Sequence, residues 1–290
     1  MFSNSRFIAI HGLSVHYRVV MPKTPVRHHA LLVASPGQST YNWRHIVPEL
    51  TEAGCQCVLC DLPGFGLSEC RDDAPQDHET RAQFLWGLLD ALDLEEGGQL
   101  NCWHLMAHGS ACGTIATMAS MQPDSAASLL MLCPMLYSPL PGFLTKLAHS
   151  PSFVRPIRAW LQRNIIPPQK FARFAARLYG APVPERTLQQ MHRSLVRLSG
   201  HEEMLRRMLI DGYRVDMTRL NDLFMPSMVL WGGRDPILGG EIPNRLRLRD
   251  FKSAEYHLLP GSGHCPAETN SRAVRDFLRG WIRELWDGSR

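Results

Sequence analysis

The sequence reads as an α/β protein: a mostly parallel sheet covered by helices on both faces, with an inserted helical segment. Three observations lead there. Short apolar runs alternate with longer amphipathic stretches over the first 137 residues, and strands alternating with helices of about ten or more residues imply a parallel sheet. The alternation stops over 138–220, where helical patterns punctuated by prolines replace it, and resumes near 227. The 290 residues suffice to bury a core without disulfides or metals. With 44% hydrophobic and 20% charged residues, the composition excludes disorder and fibrous repeats.

Taken in order, RFIAIHG and LSVHYRVV read as a hairpin around Gly12, followed by the apolar strand HALLVAS. WRHIVPELTEAG reads as a helix closing on Gly54, and CQCVLCDL as the next strand. Cys55, Cys57 and Cys60 invite a metal reading, but no matching Cys/His pair follows at zinc-like spacing. They are expected to be buried small hydrophobes, with no metal. RAQFLWGLLDALDL has apolar residues at helical spacing. CWHLMAH and LLMLCPML read as strands flanking the helix SACGTIATMASM. After the insertion come the strands SMVLWGG and AEYHLLPG and a last helix from Ser271 to Trp286. The expected organisation is a core of residues 1–137 and 221–290, with 138–220 laid over its face.

No apolar run approaches the roughly 18 residues of a membrane span, so no stable membrane insertion is expected. The start, MFSNSRFIAIHG, lacks a secretory pattern, which predicts a cytoplasmic location and reduced thiols. The insertion carries 14 basic against 5 acidic residues and the remainder 17 against 22, consistent with the net charge of +4. A basic lid over an acidic body would attract an anionic partner or substrate. No aromatic-basic platform points to nucleic acid. No cofactor is expected, since PGQST lacks the glycines and the Lys-Ser/Thr of a phosphate-cradling loop.

Four segments carry a resemblance: PGQSTYNWRHIVPELTEAG (36–54), DLPGFGLSE (61–69), MVLWGGRDPIL (228–238) and LLPGSGHCPAETN (258–270). They resemble the segments after the third and fourth strands, and those around the acid and the histidine, in the alpha/beta-hydrolase superfamily. The resemblance covers nearly all of the chain outside the insertion. It implies that fold with a helical lid, and a serine hydrolase with Asp235 as acid and His264 as proton shuttle. The chemistry needs such a set: a serine hydroxyl attacks only as a histidine removes its proton, and a carboxylate fixes that histidine's tautomer.

The nucleophile has two registers. The family's elbow is Gly-x-Ser-x-Gly, and here the segment is LMAHGSACGTIA (105–116). Centred on Ser110, His108 and Cys112 stand at the glycine positions while the downstream residues fit well. Centred on Gly109, the small neighbours are Ala107 and Ala111 and there is no nucleophile. Ser110 is the expected nucleophile, because both of its partners are retained. Pro36 has no N–H to offer an oxyanion, so Gly37 or Gln38 is expected to donate beside the N–H of Ala111.

The implied reaction is hydrolysis of a carboxylic ester or thioester through an acyl-enzyme, on a small acyl ester or an anionic acyl carrier. Arg206 and Arg207 are candidates for binding that substrate or partner. Two alternatives stay open: a catalytically inactive hydrolase-fold binding protein, and a lysophospholipase- or monoglyceride-lipase-like lipid hydrolase, which MLCPMLYSP (131–139) faintly resembles.

Overall fold

The computed structural model describes residues 4–96, 102–137, 142–212 and 215–286. Eight strands form one sheet: β1 (Arg6–Ile10), β2 (Leu13–Val20), β3 (His28–Val33), β4 (Cys55–Cys60), β5 (Trp103–His108), β6 (Ala126–Leu132), β7 (Ser227–Gly232) and β8 (Glu255–Leu259). Their order across the sheet is β1-β2-β4-β3-β5-β6-β7-β8. The β1–β2 and β2–β4 pairings are antiparallel and the others parallel.

The central strands read as unbroken apolar runs because both of their faces are covered. Alternate residues feed two cores. Leu31, Val33, Leu105, Ala107, Leu129 and Met131 face one, and Ala30, Leu32, Met106, Leu130 and Leu132 face the other. The first core is closed by α2 (His78–Glu96) and α3 (Ala111–Met121), the second by α1 (Val47–Glu52) and α11 (Ser271–Trp286). All three cysteines of β4 are buried between these layers.

One expected helix is cut short. Residues 40–43 form a single tight turn, and α1 begins only at Val47. Pro48 explains the break, since it lacks an N–H and is tolerated only in a first helical turn.

Between β6 and β7 come α4 (Gly142–Leu147), α5 (Pro151–Asn164), α6 (Pro168–Tyr179), α7 (Glu185–Gly200) and α8 (Glu202–Asp211), with no strand among the described residues. The expected boundary at 138 falls on 138–141, outside the described residues. In α6, Phe171, Ala175 and Tyr179 recur every fourth position and pack with Met191 of α7 and with Cys265. Burying a large apolar side chain of this kind contributes about 2 kcal/mol. This packing seats the helical layer against the loop that follows β8. Two short helices complete the fold, α9 (Glu241–Arg245) and α10 (Pro266–Thr269).

Candidate active site

Asp235 and His264 come from loops at the carboxyl ends of β7 and β8, where an open parallel sheet leaves its crevice. His264 Nδ1 lies 2.7 Å from Asp235 Oδ2, and both residues are buried. The other carboxylate oxygen, Oδ1, accepts the N–H groups of Ile237 at 2.8 Å and Leu238 at 3.1 Å. Burial opposes ionisation of Asp235, but the hydrogen bond and charge of His264 and those two N–H groups outweigh it. Its carboxyl is held below the ordinary value. With Asp235 ionised, Nδ1 carries the proton and Nε2 is left with its lone pair. The His264 loop is anchored to the helical layer by its own N–H, which donates to the Leu178 carbonyl at 2.9 Å.

The elbow lies one residue earlier than expected. β5 ends at His108, Gly109 takes φ +60°, and Ser110 already has helical backbone angles. A left-handed residue between strand and helix is the strained turn of a nucleophile elbow. A Cβ placed on Gly109 would stand 3.6 Å from His264 Nε2, the reach of a nucleophile's side chain. Ser110 caps α3 without a side-chain hydrogen bond, and none joins it to His264 among the described residues. Of the two registers, the backbone puts the turn on Gly109, whose Cβ position faces the histidine and whose small neighbours are Ala107 and Ala111, with Ser110, the expected nucleophile, one residue beyond it.

The expected oxyanion donors change with it. The Gln38 N–H donates to the Ser35 carbonyl at 2.8 Å, closing a turn in which Pro36 fixes one φ and Gly37 adopts +89°. Gln38 thus has no backbone donor to offer, and its side-chain amide donates to Cys265 Sγ at 3.2 Å. The amide following the elbow belongs to Ser110 rather than Ala111. Gly37 keeps its place beside the cavity.

Two residues escaped the sequence reading. His108 Nε2 donates to the His264 carbonyl at 2.7 Å, and the two rings meet edge-on at 4.9 Å. Burial, with the charge of His264, lowers the His108 pKa to about 3, so it stays neutral. Its Nδ1 is a buried acceptor with no partner among the described residues. The second is Ser35, which lies against Gly109. Nothing in the sequence marked His108 beyond its place beside the elbow. For Ser35 the only signal was a hydroxyl directly before Pro36-Gly37.

These groups open onto a cavity of about 350 Å³. Ser35, His108, Ser110 and His264 line its floor, while Leu161, Leu198 and Met208 are among the apolar residues that α5, α7 and α8 contribute. No lysine or arginine lines it among the described residues. Arg206 and Arg207 are engaged elsewhere. Arg206 Nε donates to Glu203 of the same helix at 2.7 Å, and Arg207 Nη1 donates to the carbonyls of Asp72 and Ala74 at 3.3 and 3.2 Å. Arg155 and Arg158 both meet Glu202.

Donor atoms of Cys133, Asp235 and His264 lie within 4.8 Å of one another. Burial pushes the Cys133 thiol well above its ordinary pKa, and His264 Nδ1 donates to Asp235. Both groups would have to surrender a proton before binding a cation. No described helix is long and apolar enough to cross a membrane.

Comparison with known proteins identifies the family. The chain is 23% identical over 289 residues to a 2-hydroxy-6-oxononadienedioate/2-hydroxy-6-oxononatrienedioate hydrolase of Cupriavidus pinatubonensis, covering 94% of this chain and 95% of that one. It is 23% identical over 292 residues to an uncharacterized hydrolase, YugF, of Bacillus subtilis, covering 96% and 97%. Among solved structures, a putative lipase of Acinetobacter baumannii superposes with a TM-score of 0.77 at 18% identity, covering 98% of this chain and 92% of that one. An esterase of Exiguobacterium antarcticum gives 0.76 at 12% identity, covering 97% and 100%. The family model for the alpha/beta hydrolase family matches residues 29–277. With that match running from β3 through the elbow and both loops that bring Asp235 and His264 together, the chain belongs to the alpha/beta hydrolase family.

Proposed function

We propose that this hydrolase cleaves a carboxylic ester or thioester bearing an apolar acyl chain, with His264 moving the proton and Asp235 holding its tautomer. The observation that carries this reading is His264, paired with Asp235 at 2.7 Å, on the floor of a largely apolar cavity. A cavity of about 350 Å³ suits an acyl chain. Among the described residues it offers no cation for the carboxylates named in the dioate substrates of the relatives, which favours ester over dioate chemistry. That Arg206 and Arg207 already have partners within the chain supports specificity set by the cavity over docking of an anionic carrier.

The test is hydrolysis of p-nitrophenyl esters of increasing acyl length by wild type and His264→Ala. Turnover is expected to rise with chain length until the cavity is filled. It should fall in the variant by roughly 10²- to 10⁴-fold, the usual contribution of a positioned acid–base group. Equal rates in the two proteins would reject the reading.

A second reading, a binding protein on a hydrolase scaffold, is favoured by one observation: Gly109 puts no nucleophile at the elbow. Folded protein that binds long-chain esters without turning them over would establish it.

A further inference from the structure

We propose that Ser35, from the loop after β3, is the nucleophile, its hydroxyl replacing the one absent from Gly109. This rests on the ester or thioester hydrolase reading above. The two loops meet at one point. A Cβ on Gly109 would stand 3.6 Å from His264 Nε2, 2.6 Å from Ser35 Oγ and 3.1 Å from Ser35 Cβ. The Ser35 side chain therefore fills the space a side chain at the elbow would need, the same space from which a Cβ would reach His264 Nε2. A residue larger than glycine at 109 would force the Ser35 hydroxyl to move, so the glycine at the elbow and the serine opposite share one space.

Ser35 has the other attributes the role requires. It lines the apolar cavity together with His264. It is 8% exposed, shielded from bulk water yet open to a ligand. Among the described residues no hydrogen bond engages its hydroxyl. Its backbone is fixed from both sides: β3 leads into it, and its carbonyl closes the Pro36-Gly37 turn through the Gln38 N–H at 2.8 Å. A side chain held on a rigid turn loses little entropy when it reacts. Ser110, by contrast, follows the elbow with helical backbone angles at the start of α3, and Cys112 and Cys133 have thiols raised by burial, which makes them inert.

The step balances as follows. Ser35 Oγ attacks the acyl carbonyl carbon, and its proton passes to His264 Nε2 as the C–O bond forms. The oxyanion is met by free amides at the start of α3. Collapse breaks the bond to the alkoxide or thiolate, which takes the proton from His264. Water then adds to the acyl-Ser35 ester, giving its proton to His264. Collapse releases the acid and returns that proton to Ser35.

The experiment is intact mass and peptide mapping after exposure to a fluorophosphonate probe, on wild type, Ser35→Ala and Ser110→Ala, alongside p-nitrophenyl ester turnover. The expected adduct is on Ser35, lost in Ser35→Ala and kept in Ser110→Ala, with turnover lower by roughly 10³-fold in Ser35→Ala. An adduct on Ser110, or unchanged turnover in folded Ser35→Ala, would overturn the assignment while leaving the hydrolase reading intact. Absence of both adduct and turnover in wild type would overturn both. A double variant, Ser35→Gly with Gly109→Ser, returns the hydroxyl to the elbow without the collision. It is expected to recover at least about tenfold over Ser35→Ala. No recovery in folded protein would show that the two positions are not equivalent, and would sink the proposal.

Discussion

The protein contains two buried histidine–aspartate pairs that are nearly the same object. In one, His264 Nδ1 meets Asp235 Oδ2 at 2.7 Å, and in the other His16 Nδ1 meets Asp61 Oδ2 at 2.7 Å. Each aspartate also accepts two backbone N–H groups: those of Ile237 and Leu238 on Asp235, and those of Thr40 and Leu67 on Asp61. What differs is the far side of the ring. His16 Nε2 meets Ser5 Oγ at 3.0 Å, so a complete Ser-His-Asp chain exists there. Its imidazole is fully buried and packed by the Phe7 ring at 5.2 Å. His264 Nε2 instead looks past a glycine into an apolar cavity. Hydrogen-bond connectivity alone therefore does not make a site. The His16 pair ties the 61–69 loop to β2, while the His264 pair leaves its lone pair available.

The contrast is sharpest in the aspartates. Asp235→Asn should lower ester turnover by roughly 10²- to 10⁴-fold with little change in thermal midpoint, because it disturbs the tautomer of a histidine that reacts. Asp61→Asn should do the reverse. It leaves buried N–H groups facing an amide in place of a carboxylate, at a cost of about 3–5 kcal/mol, while the fraction that remains folded turns over normally. Denaturant midpoints and rates per folded molecule would check both. Matching profiles for the two variants would mean that the pairs do the same work.

A smaller effect separates the neighbourhoods by pH. His108 lies against His264, and burial depresses its folded pKa from 6.5 to about 3. For a base this means the unfolded chain takes up the proton first as pH falls. The stability linked to His108 is therefore complete above about 6.5 and drains away as pH drops toward 3. The slope reaches about 1.4 kcal/mol per pH unit. His108→Gln, which retains a donor toward the His264 carbonyl, should flatten the fall of the thermal midpoint between pH 7 and 5. An identical slope in the variant would remove His108 as its source.

Much of this was legible in the residues. The alternation of apolar runs marks the sheet because strands covered on both faces cannot hide polar positions. The pairing of Asp235 with His264 was readable because a parallel sheet brings the loops at neighbouring strand ends together. The elbow was not readable, since its register depends on which residue takes a positive φ. Gly109 and Ser110 are adjacent, and both small. Ser35 was hidden for a related reason: its meaning depends on a glycine 74 positions later in the chain, and only the packing of β3 beside β5 joins them. The arginines of the helical layer pose a different problem. Charge counts cannot tell a free guanidinium from one that grips a carbonyl of the 72–74 loop.

Ser5 gives the smallest expected effect and the cleanest control. It is an exposed serine bonded to a buried histidine that also meets an aspartate, so by connectivity it completes a Ser-His-Asp chain. Ser5→Ala removes one hydrogen bond at the surface end of the His16 chain. The change in stability should stay within about 1 kcal/mol, the net value of a single hydrogen bond, and ester turnover and fluorophosphonate labelling should both be unchanged. A drop in labelling would move the reactive serine to the His16 pair and reverse the roles assigned to the two. Unchanged labelling would mean that a serine in hydrogen-bond contact with a buried His–Asp pair is not activated by that contact alone. What His264 has in addition is the cavity in front of it, where an acyl group can be held while the proton moves.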